Sequence, residues 1–209
     1  MATTREKLHR SFLYDWFGGV KQALDFRAWE KAGNPVPPPH RYKQQVILGA
    51  ASATGARVLV ETGTYLGDMV RAMQSRFREI YTMELDDGLY ERARKKFDAW
   101  PHVHCLGGSS PDLLASILRR ITEPCVFWLD GHYSGPGTAG RMDPCPVDRE
   151  LAVIGAHHIK AHAVLIDDAR LFNGTGGYPS LEEIDRLRAR LFPGLRMTVE
   201  HDIIRLLPG

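Results

Sequence analysis

Arg57-Val58-Leu59-Val60-Glu61-Thr62-Gly63-Thr64-Tyr65-Leu66-Gly67-Asp68 is the stretch whose reading decides the fold. Its first residues are apolar and partly β-branched, the composition of a short buried strand. Glu61 closes that strand, Gly63 and Gly67 follow, and a helical spacing of apolar residues begins at Leu66, Met69, Val70 and Met73. Strand, glycine turn and helix together let a backbone approach a nucleotide-like ligand closely. The helix N-terminus adds free N–H groups that favour an anionic part of such a ligand. The glycine spacing is E-x-G-x-x-x-G, not the G-x-G-x-x-G of dinucleotide binders.

Working outward, strands and helices alternate to the end of the chain. Ile80–Glu84 reads as a second strand, Val103–Leu106 as a third, Cys125–Asp130 as a fourth and Ala163–Asp168 as a fifth. Charged or amphipathic helices are expected over 87–99, 111–121, 147–160 and 180–191, and Leu195–Glu200 and Asp202–Leu207 as a closing strand pair turned at His201. Such alternation predicts an α/β fold, a mainly parallel seven-stranded sheet with helices on both faces.

Before Arg57 the pattern differs. Residues 5–32 carry Leu8, Phe12, Trp16, Phe17, Leu24, Phe26 and Trp29, divided by Gly18-Gly19 into two short amphipathic helices. Aromatic residues at that density need a surface to cover. Packing onto the main domain is the preferred reading; a lid over the active site or a homodimer contact is the alternative. Gly33–Pro39 is a stiff proline-rich bridge, and residues 40–54 form a helix with Val46, Ile47, Ala50 and Ala51 inward. The organisation is therefore an N-terminal helical extension over 1–55 and a main domain over 56–209.

Composition bounds the function. The chain has 209 residues and a formal net charge of +2, which points to no dedicated nucleic-acid surface and no polybasic membrane anchor. No apolar run is long enough to span a membrane, and no apolar signal segment follows the N-terminus, so a cytoplasmic location is expected. Cys105, Cys125 and Cys145 form no C-x-x-C pair and suit a reducing compartment.

Three groups could carry chemistry. Glu84 ends the second strand, where a carboxylate can accept hydrogen bonds from ribose hydroxyls. Gly107-Gly108-Ser109-Ser110 follows the third strand, and Ser109 could hydrogen-bond an adenine edge. The third group is acidic: Asp130 closes the fourth strand, and Asp167 and Asp168 close the fifth. Neighbouring strands lie about 4.8 Å apart, so these carboxylates converge on one rim. Carboxylates that close repel unless something cationic sits among them, and an oxygen-only donor set suits Mg²⁺.

The glycine turn, Glu84 and the acidic trio together resemble the class I S-adenosylmethionine (SAM) methyltransferases over residues 57–207. Within them the set looks most like the metal-dependent macrocin-type O-methyltransferases, and more distantly the catechol-type ones. The resemblance implies a Rossmann-like methyltransferase fold and SAM as cofactor. Glu61, Thr62, Gly63, Thr64, Tyr65 and Gly67 would form the cofactor loop, Glu84 the ribose acid, and Ser109 and Asp130 further cofactor contacts. Asp130, Asp167 and Asp168 would hold the metal, with Asp130 also among the catalytic residues. The macrocin-type pattern has Asp-Gly-Asp where this chain has Asp130-Gly131-His132, which puts His132 on a catalytic-base position; histidine titrates near neutrality. Catechol-type enzymes use a lysine where this chain has Tyr133, so the base assignment stays open between the two.

Other motifs are decoys. Gly135–Gly140 matches G-x-G-x-x-G but does not lie between a strand and a helix, and His158 and His162 are followed at once by a strand, which argues against a zinc pair. The implied activity is methyl transfer from SAM to a hydroxyl of a small molecule or sugar, with Mg²⁺ assisting. A methyltransferase-fold protein that binds SAM or a partner without catalysis is the rival, and a nucleotide-binding oxidoreductase is disfavoured by the glycine spacing.

Overall fold

The computed structural model describes residues 19–131 and 145–209. The expectations placed on residues 5–18, on His132 and Tyr133 and on Gly135–Gly140 fall outside them. The strands are β1 (Val58–Thr62), β2 (Glu79–Glu84), β3 (Val103–Gly107), β4 (Cys125–Leu129), β5 (Ala163–Ile166), β6 (Leu195–Glu200) and β7 (Ile203–Pro208). They form one seven-stranded sheet in the order β3-β2-β1-β4-β5-β7-β6. β3, β2, β1, β4 and β5 run parallel, and β7 runs antiparallel to both β5 and β6. The order reverses between β1 and β4, which places a crevice at the carboxyl ends of those strands.

The helices are α1 (19–31), α2 (His40–Thr54), α3 (Asp68–Met73), α4 (Asp87–Phe97), α5 (Ser110–Ile117), α6 (Val147–Ala156) and α7 (Leu181–Leu191). The two-residue period of the strands sorts them onto opposite faces. Val58, Val60, Phe127, Leu129, Val164 and Ile166 share a core with Leu114 of α5, Leu151 of α6 and Ile184 of α7. Leu59, Ile80, Val126, Trp128 and Leu165 point the other way and pack with Ile47 of α2, Val70 of α3 and Phe97 of α4. Burial on both faces explains why these strands read as continuous apolar runs.

Several ends differ from expectation for local reasons. α3 starts at Asp68 rather than Leu66, because Tyr65 (φ 47°) and Gly67 (φ 72°) turn the chain first. α6 stops at Ala156, where His157 turns extended and its Nδ1 meets His162 Nε2 at 2.8 Å. β5 ends at Ile166, since Asp168 is left-handed (φ 54°) and bends the chain across the rim. The tight β6–β7 connection is confirmed, with His201 and Asp202 both at positive φ as a two-residue hairpin turn requires.

In the N-terminal region Trp29 is buried, with its ring 4.9 Å from that of Tyr42 and 5.1 Å from that of His201. Its indole N–H donates to the Pro35 carbonyl at 2.7 Å. Val20 and Leu24 are instead 43% and 60% exposed, so the apolar stripe of α1 is covered only at its C-terminal end. α2 lies against β4 and β5, with Ile47 fully buried.

Candidate cofactor and acceptor site

The rim over β1 and β2 is built by short-range backbone geometry. The Gly63 and Thr64 amides both donate to the Met83 carbonyl, at 2.9 and 3.0 Å, which folds the turn after β1 across the end of β2. Gly63 has φ 84°, and a Cβ there would lie 2.4 Å from the Asp130 carbonyl oxygen. A side chain at this position would collide with the backbone beyond β4, so the glycine is obligatory. One Glu84 oxygen accepts from the Tyr65 amide at 2.7 Å and the other from the Asp86 amide at 3.0 Å. Each oxygen keeps further acceptor capacity, so the carboxylate is held in place and can still receive a vicinal diol. The Gly108 amide donates to the Glu84 carbonyl at 2.9 Å, which brings the turn before Ser109 to the same spot, with Ser109 as the N-cap of α5.

Glu61 sits beneath this turn and is 2% exposed. The Thr82 hydroxyl donates to Glu61 at 2.6 Å, so the Thr64 hydroxyl, 2.6 Å from that of Thr82, is left as donor in their contact. Burial lifts the Glu61 carboxyl to about 8, against the pull of Thr82 and with a further push from the Glu84 charge. Glu61 therefore supports the turn from below through a buried hydroxyl chain.

The rim over β4 and β5 is assembled over long range. The Asp130 amide donates to the Thr62 carbonyl and the Asp167 amide to the Leu129 carbonyl, both at 3.1 Å, continuing the ladders past the strand ends. Asp167 is fully buried. One of its oxygens accepts from the Asp168 amide at 2.9 Å, and the other is bound by the ammonium of Lys43, from the first turn of α2. Burial alone would lower the Lys43 pKa, but Asp167, then Asp130 and Asp168, outweigh it and raise it. Burial also lifts the Asp167 carboxyl above its usual range, against the pull of Lys43. With its ammonium facing three carboxylates, Lys43 holds its proton. Asp168 accepts from the Arg170 guanidinium at 2.8 Å, and Arg170 also pairs with the buried Asp202.

The structure thus gathers Gly63, Thr64, Tyr65, Glu84, Ser109 and Asp130 at the carboxyl ends of β1 to β4, with Asp167 and Asp168 at the end of β5. Thr62, Glu61 and Gly67 lie under or behind the turn; a Cβ on Gly67 would meet the Phe97 ring at 2.6 Å. Lys43 and Arg170 escaped the sequence reading. The signal for Lys43 was its phase: Lys43, Ile47 and Ala50 fall on one face at i, i+4 and i+7, so the lysine continues the buried stripe.

A nucleoside with a vicinal diol fits the β1–β2 half, because the held Glu84 carboxylate provides paired acceptors. Mg²⁺ does not fit the acidic half as arranged. Asp167 is committed to Lys43 and Asp168 to Arg170, and among the described residues no three His, Cys, Asp or Glu side chains are grouped to hold a metal. The three cysteines are free, and burial pushes Cys125 up to about 12, which leaves it unreactive.

No protein-family model matches the sequence, and no curated protein aligns with it significantly. Solved structures do match the fold. The O-methyltransferase TomG from Streptomyces achromogenes, in complex with SAM, aligns at 15% identity over 90% of this chain and 89% of its own, with a TM-score of 0.57. A SAH-bound O-methyltransferase from Bacillus cereus aligns at 15% identity over 89% and 90%, with a TM-score of 0.55. The SAH-bound Podospora anserina methyltransferase PaMTH1 aligns at 14% identity over 100% and 98%, with a TM-score of 0.57. The chain has the Rossmann-like fold of the class I SAM-dependent methyltransferases, as the E-x-G-x-x-x-G turn and the alternation of strands and helices led one to expect. Among the described residues no helix is long and apolar enough to cross a membrane.

Proposed function

We propose that this protein is a SAM-dependent O-methyltransferase acting on a hydroxyl of a small molecule or sugar. The observation that carries the reading is the Glu84 cradle: a carboxylate fixed by two amides, on a turn whose Gly63 lets the chain pack directly on the Asp130 backbone. Tyr65, Ser109 and Asp130 line the same crevice. SAM-bound and SAH-bound O-methyltransferases with this fold support the choice of cofactor.

SAM supplies an electrophilic methyl group when bound. The residues of this chain would then position the reactants. Glu84 fixes the ribose, the Gly63–Tyr65 turn admits the remainder of the cofactor, and the β4–β5 rim faces the acceptor. Much of the rate of such a transfer comes from holding acceptor and donor in line. His132 is assigned as the base that takes the acceptor proton, with Tyr133 as the alternative. A divalent ion at Asp130, Asp167 and Asp168 would be the metal-assisted form of this reading, and it would require Lys43 to leave Asp167.

Calorimetric titration with SAH and with NADH tests the proposal. Micromolar-range binding of SAH and none of NADH is expected, and a wild-type protein that binds neither SAM nor SAH overturns it. Methyl transfer to a panel of hydroxyl acceptors then separates an enzyme from a protein that only binds SAM.

A further inference from the structure

We infer that Lys43 is the resident cation of the acidic rim, so that the site takes no divalent metal ion. It deepens the methyltransferase reading by naming what occupies that site, and the cation assignment itself rests on geometry. The Lys43 ammonium is bonded to Asp167 with side chains only 17% and 1% exposed. Asp167's second oxygen is taken by the Asp168 amide, and Asp168 is drawn to Arg170. A divalent ion entering this space would displace an ammonium from a buried carboxylate and would be repelled by it until it left. The position of Lys43 is also otherwise unfavourable. It lies in the first turn of α2, which holds no acidic residue, at the positive end of the helix dipole. The carboxylates at the strand ends compensate for that placement.

An ammonium presents single, rotatable donors, whereas a divalent ion chelates.

Mn²⁺ titration followed by electron paramagnetic resonance tests this on the full chain without requiring turnover. Wild type should show no stoichiometric Mn²⁺ site at millimolar metal. Lys43→Met frees the Asp167 carboxylate and should raise the weak Mn²⁺ affinity at least tenfold over wild type, and Lys43→Met/Asp167→Asn should lose that gain. One Mn²⁺ bound by wild type and weakened tenfold or more by Asp167→Asn would overturn the inference, whatever the variant does. So would a folded Lys43→Met protein whose Mn²⁺ affinity does not rise. If Lys43→Met does not fold, Lys43→Gln takes its place under the same criteria. SAH titration on the same samples keeps the two readings apart: SAH binding lost with the Mn²⁺ pattern as expected removes the methyltransferase reading and leaves the cation assignment in place.

Discussion

The two halves of the crevice are built by opposite strategies. Over β1 and β2, the contacts that shape the cradle are amides from short loops gathered at the end of β2: Gly63 and Thr64 to Met83, Tyr65 and Asp86 to the Glu84 carboxylate, Gly108 to the Glu84 carbonyl. Over β4 and β5, the decisive contact joins Asp167 to Lys43, which is 124 residues away in sequence. The first half is backbone amides around one carboxylate; the second is side-chain charges balanced against each other. Backbone cradles tolerate loss of a side chain, whereas a buried charge pair fails when either partner goes. The expected effects of substitution divide along the same line.

The largest effect is expected from splitting the charge pair. Lys43→Met leaves Asp167 buried without its cation, which should destabilise the fold by about 3 kcal/mol, the lower end for a buried pair because Lys43 retains some exposure. Adding Asp167→Leu should recover most of the loss, since replacing both partners by apolar groups removes the uncompensated charge. Urea denaturation of the two single variants and the double variant checks this. Additive losses would mean that the pair is not the unit the geometry shows.

The second effect concerns pH and the carboxyl beneath the β1–β2 turn. Burial lifts the Glu61 carboxyl to about 8 in the folded protein, against 4.5 for a free glutamate. A raised folded pKa means that the native state holds the proton more tightly than the unfolded chain. The contribution is fully present below about 4.5 and is lost as pH rises through about 8. By about pH 7 the wild type should have lost on the order of 3 kcal/mol relative to Glu61→Gln, which cannot ionise and still accepts from Thr82. Parallel stability–pH curves for the two proteins would show that Glu61 is not buried in this way.

How much of this was legible follows the same division. The glycine turn, Glu84, the strand alternation and the hairpin at His201 are local patterns, set by residues a few positions apart, and sequence periodicity reports them. So is the capping box that starts α7, where Ser180 and Glu183 satisfy each other's backbone amides. Lys43 was not legible as a site residue, because its partner is chosen by the packing of α2 on β4 and β5, and a lysine in a first helical turn usually marks a solvated face. Arg170 was hidden for the same reason: its bridge from Asp168 to Asp202 exists only once β7 lies beside β5. The density of apolar residues in α1 promised more burial than the fold provides, since Trp29 makes the inward contact and Leu24 does not.

A third test returns to the backbone cradle. Gly63→Ala forces a side chain into the Asp130 carbonyl and into a left-handed backbone angle, and should destabilise the fold by roughly 2 kcal/mol. The crevice between β1 and β4 should widen, so SAH affinity should fall together with stability. Melting temperature and SAH titration measured on one sample check both; wild-type affinity in a destabilised variant would place the cofactor elsewhere.

The smallest change in the fold, and the most specific for the cofactor, is expected at Glu84. The amides it anchors are near the surface, since Tyr65 is 54% exposed, and water can replace the lost carboxylate at both of them. Glu84→Ala should therefore cost only about 1 kcal/mol of stability, the value of ordinary hydrogen bonds. A ligand diol loses more, because it gives up a charged acceptor inside the crevice: roughly 1.5–3 kcal/mol of SAH affinity, or about a 10- to 150-fold rise in Kd. Glu84→Gln should behave no better than the alanine variant. Its amide nitrogen would replace one acceptor and face either the Tyr65 or the Asp86 amide as a second donor, so the side chain must rotate out of the cradle. The split between the two readouts distinguishes a cofactor contact from a structural one. If both variants bind SAH like wild type, the β1–β2 half is only a well-made turn, and the cofactor assignment loses the residue that carries it.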